Sequence, residues 1–72
     1  MVTLENIHDV VSYHAPTEKQ IADLGAIRAL AGDFIQGILH LTPPSADQTA
    51  AIRKVREAMM TANAAIVLEG MV

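Results

Sequence analysis

The sequence predicts an all-α fold: a short N-terminal helix followed by an antiparallel helical hairpin, assembled as a homo-oligomer. Three observations point there. Two capping signals, Thr17-Glu18-Lys19-Gln20 and Ser45-Ala46-Asp47-Gln48, open two segments of near-equal length. Apolar residues recur along both segments at steps of three and four. The composition completes the case: of 72 residues, 51% are hydrophobic and 18% charged, with Tyr13 and Phe34 the only aromatics. So short a chain leaves much of its surface wet and has little core of its own. Abundant small aliphatic residues then point to helices that bury surface against copies of themselves.

The first helix is expected at about residues 4–12, where Ile7, Val10 and Val11 mark one apolar side and Thr3 is a candidate cap. It ends near Tyr13-His14-Ala15-Pro16, since a proline biases the residue before it away from helix. The second, at about 17–41, starts where Thr17 and Gln20 can satisfy each other's backbone amides. Its expected seam is Ile21, Leu24, Ile27, Ala31, Phe34, Ile38 and Leu41. Pro43-Pro44 ends it, and Ser45 opens the third helix, at about 46–69, with Gly70 as a stop. There Ile52, Val55, Met59, Ala62 and Ile66 form a seam like that of a coiled coil. Both long helices carry surplus apolar residues: Leu30, Ile35 and Leu39 on one, Ala51, Ala58, Met60, Ala65 and Val67 on the other. A two-helix hairpin buries one face per helix, so the second face asks for a partner. The whole chain, 1–72, reads as one domain.

Several function classes are disfavoured. The chain has no cysteine, hence no disulfide and no thiolate metal site. The segment Met1–Asn6 lacks the pattern of a signal peptide, and no uncharged run is long enough for a membrane span, so a soluble intracellular chain is expected. A net charge of −3 with five basic residues argues against general DNA binding. The Arg53-Lys54-Arg56 cluster reads as an exposed helix face paired with Asp47 and Glu57. His8, His14 and His40 are scattered, so no metal set is expected. No phosphate loop, HExxH, Cys nucleophile or Ser-His-Asp set is present, and the chain is expected not to be an enzyme and to need no cofactor.

Two features remain. Gly25, Arg28 and Gly32 lie at i, i+3 and i+7, so two glycines flank one cation on one helical face. Glycine inside a helix costs about 1 kcal/mol relative to alanine, and two readings explain it. Either the glycines allow close helix–helix approach across an interface, or they leave room for a bulky anion beside the Arg28 fork. Tyr13, in a loop, either covers the end of the hairpin or offers its ring face to a nucleobase.

The string Tyr13-His14-Ala15-Pro16-Thr17-Glu18-Lys19-Gln20, followed by Ala26-Ile27-Arg28, resembles the first half of the phage anti-CBASS cyclic-oligonucleotide sponges. Pro43-Pro44-Ser45, Arg56-Glu57-Ala58-Met59-Met60 and Ala62-Asn63-Ala64-Ala65-Ile66 resemble the second half. The helical-hairpin domain of that family is similar to that of one group of Thoeris anti-defence sponges. The resemblance runs from about Ile7 to Ile66. It implies a homohexamer that captures cyclic dinucleotide immune signals in the host cell cytoplasm and holds them without cleavage. It also implies that Tyr13 stacks on a base and that Arg28, fifteen positions later, contacts phosphate. The family residue at that position is typically Lys, so charge is kept while donor geometry changes. His14 and Gly25 join the candidate set by proximity to these two. A second family pocket takes cyclic trinucleotides through a hydroxyl and an Arg; the matching positions here hold Leu30 and either Leu68 or Glu69.

Arg28 lies eleven residues beyond Thr17, about 16 Å along the helix. Two protomers about a twofold axis could bring Tyr13 and Arg28 onto one nearly twofold ligand. The rival reading is a structural helical oligomerisation or adaptor module with no nucleotide ligand.

Overall fold

The computed structural model describes residues 1–70. Those residues form three helices and no strand: α1 (Ile7–Val11), α2 (Glu18–Leu41) and α3 (Ala46–Val67). The two long helices pack on each other as an antiparallel hairpin, and α1 stands apart from both.

Helix α2 opens on a complete reciprocal cap. The Gln20 backbone N–H donates to Thr17 Oγ1 at 3.2 Å, and the Thr17 N–H donates to Gln20 Oε1 at 2.9 Å. The same Gln20 side chain then donates through Nε2 to the Ile66 carbonyl at 3.1 Å and to Glu69 Oε1 at 3.2 Å. One amide thus starts α2 and ties it to the end of α3.

The second capping box forms only by half. Gln48 N–H donates to Ser45 Oγ at 3.1 Å. The Gln48 side chain does not return to Ser45; its Nε2 donates to the Thr42 carbonyl and to Thr42 Oγ1, each at 3.1 Å. The Pro43-Pro44 turn leaves the last α2 carbonyls without helical donors, and this amide supplies one.

Helix ends differ from the sequence expectation at two places. Thr3 and Asn6 pair with each other (Thr3 N–H to Asn6 Oδ1 at 2.7 Å, Asn6 N–H to Thr3 Oγ1 at 3.2 Å), which makes residues 4–6 a turn and delays α1 to Ile7. Helix α3 stops at Val67, where Glu69 N–H reaches the Ile66 carbonyl and Gly70 N–H the Ala65 carbonyl, both at 3.4 Å. That pair of bonds is the Schellman motif. Its left-handed position falls on Glu69 (φ 52°), followed by Gly70 (φ 78°).

The seam also departs from expectation on α2. Leu24, Ile27, Ala31 and Ile38 are covered as expected, and Ile35, assigned to the surplus, is covered with them. Ile21, Phe34 and Leu41 are exposed instead. On α3 the expected set, Ile52, Val55, Met59, Ala62 and Ile66, is half-buried throughout. Among the described residues only Ala31, at 9% exposure, is buried. The Cα radius of gyration is 15.2 Å, against about 11 Å for a compact domain of this length. A hairpin two helices thick cannot enclose a side chain on every side.

Candidate functional site

The loop between α1 and α2 is folded back on the end of α1. Ser12 N–H donates to the His8 carbonyl at 3.1 Å, and Ser12 Oγ donates to the Asp9 carbonyl, also at 3.1 Å. His14 Nε2 contacts the same Asp9 carbonyl, which requires that nitrogen to carry the proton. Ser12 and His14 both bond back to the Asp9 carbonyl, and the Tyr13 side chain between them is 87% exposed. The loop therefore presents an aromatic face to solvent on a backbone held from both sides.

Arg28 lies on α2 about three turns above Thr17 and is exposed. No hydrogen bond or ion pair involves its guanidinium among the described residues, where the one salt bridge is Lys19 Nζ to Asp23 Oδ2 at 2.7 Å. Arg53, Lys54 and Arg56 are likewise exposed, and the expected pairing with Asp47 and Glu57 does not form. Unpaired guanidinium groups keep all five N–H donors for an external acceptor.

Gly25 and Gly32 flank Arg28 on its face of α2, as the spacing requires. A Cβ built at either glycine meets nothing within 4 Å. The hairpin's own packing therefore gives neither glycine a reason, and the space above both is open. Close helix approach within one chain is thereby removed from the two readings; approach by another copy and room for a ligand both stand.

Tyr13 with His14, and Arg28 with Gly25, form two separate pairs within one chain. The structure adds a feature the seam assignment hid. Ile27, Leu30, Ala31, Phe34 and Ile38 of α2 face Val55, Ala58 and Met59 of α3 across an open apolar groove, with adjoining hollows of about 230 and 440 Å³. Leu30 and Phe34, 65% and 63% exposed, form its rim. At 100° per residue, Phe34 and Arg28 lie on opposite sides of Ala31, about 120° apart around α2. The hairpin thus has an apolar face and, on its other side, a face carrying a cation and two glycines.

Leu30 lies in that groove, and Glu69 accepts from Gln20 at the C-terminal turn. No group of three or more His, Asp or Glu residues is placed to hold a metal ion among the described residues. No helix among them is long and apolar enough to cross a membrane.

No curated protein and no solved structure matches the chain. A family does: residues 4–67 match the Acb2/Tad1 hairpin domain, a span that begins before α1 and closes at the last residue of α3. The chain, a short helix followed by a two-helix hairpin, therefore belongs to the Acb2/Tad1 hairpin-domain family, the sponges that phages direct against CBASS and Thoeris defence.

Proposed function

We propose that this chain binds cyclic dinucleotide immune signals and sequesters them without cleavage, blocking CBASS effector activation in the host cell cytoplasm. The observation that carries the reading is a pair of free recognition groups in a hairpin of this family: an exposed Tyr13 ring and an unpaired Arg28 guanidinium, fifteen residues apart. A nucleobase stacks on the first, and a phosphate takes two parallel N–H bonds from the second. His14 supports the Tyr13 backbone through Asp9, and Gly25 leaves space beside Arg28.

A self-associating protein, the homohexamer that the family resemblance implies, supplies what one chain lacks. Arg28 sits about three helical turns above Thr17, where the Tyr13 loop runs into α2. A twofold contact offers two rings and two forks to a ligand with two bases and two phosphates. The apolar groove and the near absence of a buried core support association, since such a surface is costly to leave in water. Cyclic trinucleotides are a poorer match: Leu30 lacks the hydroxyl, and Leu68 and Glu69 lack the cation, that the second pocket uses.

Thermal melting with a panel of cyclic dinucleotides tests the proposal. Ligand at about 100 times its dissociation constant adds about 2.7 kcal/mol to the folded state. If no cyclic dinucleotide raises the melting temperature, the chain is a structural oligomerisation module, a reading that the open groove by itself would also support.

A further inference from the structure

Helix α1 is five residues long, well below the roughly 12–15 at which an isolated helix becomes even marginal in water. Within one chain it gains no support from the hairpin: no Cα of α1 comes within 8 Å of a Cα of α2 or α3. Ile7 and Val11 share one side of α1 at helical spacing, Leu4 lies in the turn before it, and all three are exposed. The groove on the hairpin is uncovered as well. The chain exposes 5493 Å², whereas a folded chain of 7.7 kDa exposes about 4,300 Å². The excess is more than the roughly 800 Å² that each partner contributes to a stable interface.

We propose that the apolar groove of one copy seats the N-terminal segment, residues 4–11, of a second copy. Groove-on-groove pairing would leave Leu4, Ile7 and Val11 in water; seating the segment covers both surfaces at once. Charge agrees with the assignment. Lys54 stands at the wider end of the groove, while residues 4–11 carry Glu5 and Asp9 and no lysine or arginine. The proposal rests on the reading that the chain self-associates, and adds which segment meets which face. It also makes the Tyr13 loop, two residues beyond α1, part of the boundary between copies.

The test replaces Phe34 with a photo-crosslinking benzophenone residue and refolds unlabelled and ¹⁵N-labelled chains together. Lys19 is the first tryptic site, so peptide 1–19 reports the N-terminal segment. The expected result is a crosslink from Phe34 to that peptide, found in mixed-isotope pairs. Val11→Asp should abolish the crosslink and lower the assembly mass while the helicity of α2 and α3 persists. The same photo-residue at Leu30 serves if the Phe34 replacement disturbs assembly. Crosslinks to α2 or α3 peptides, same-isotope pairs only, or an intact assembly without any crosslink would overturn the proposal. A folded monomer by light scattering would instead overturn the self-association reading beneath it, and a ligand-induced melting shift is read independently of both.

Discussion

Replacing Gly25 and Gly32 together by alanine sets fold stability against ligand binding in one variant. Both positions lie inside α2, and a new Cβ at either meets nothing within 4 Å, so the hairpin itself has no steric objection. Each replacement recovers about 1 kcal/mol of helix propensity and lowers the entropy of the unfolded chain. The sites are seven residues apart without a shared partner, so the gains add to about 2 kcal/mol. For a domain of this size that corresponds to a rise of about 8–16 °C in melting temperature, measured at fixed protein concentration. If the glycines make room for an anion beside Arg28, the ligand-free protein should melt higher while stabilisation by a cyclic dinucleotide shrinks. Gly37 is the control: it is equally unobstructed and lies on the opposite side of α2 from Arg28. Gly37→Ala should therefore raise stability and leave the ligand response intact. A fall in melting temperature of the ligand-free double variant would refute the reasoning, because it would mean that another copy packs against those glycines.

Tyr13→Ala should remove about 1–3 kcal/mol of stacking per base, and Arg28→Ala about 1.5–3 kcal/mol per phosphate hydrogen bond. In a twofold site each loss counts twice, so calorimetric titration should show affinity lower by orders of magnitude with assembly mass unchanged. Arg28→Lys should be milder, since the charge stays and only the fork is lost. Gln20→Ala removes the side-chain half of the α2 cap and the tie to Ile66 and Glu69, while the residue-20 backbone N–H can still donate to Thr17 Oγ1; denaturant unfolding should register a loss of about 1–2 kcal/mol. Cyclic dinucleotide recovered by denaturing the complex should be chemically intact by mass spectrometry, and linearised product from nuclease-free protein would reveal an active site.

Much of the fold was legible because its signals are local. A hydroxyl three residues before an amide starts α2 whatever lies nearby, and Pro43-Pro44 ends it by lacking two N–H donors. The shared face of Gly25, Arg28 and Gly32 is likewise a property of helical pitch alone. The candidate pair Tyr13 and Arg28 was legible as residue types at a spacing, with the loop's exposure added by the hydrogen bonds that Ser12 and His14 make to α1.

Which apolar stripe becomes the seam was a matter for tertiary structure. Ile35 and Phe34 are neighbours in sequence, and steps of three and four admit either, because 3.6 residues per turn fits neither step evenly. The rotation of α2 against α3 decided it, covering Ile35 and exposing Phe34. The same rotation opened the groove and set Arg28 on the opposite side of the hairpin from it. Gln48 left its own cap for Thr42 for a similar reason: the turn brought unsatisfied oxygens within reach that a local pattern could not reveal. Composition and period established that there are two long helices and that they pair. How each is turned toward the other, and so what the chain leaves exposed for ligand or partner, depends on packing between residues far apart in sequence.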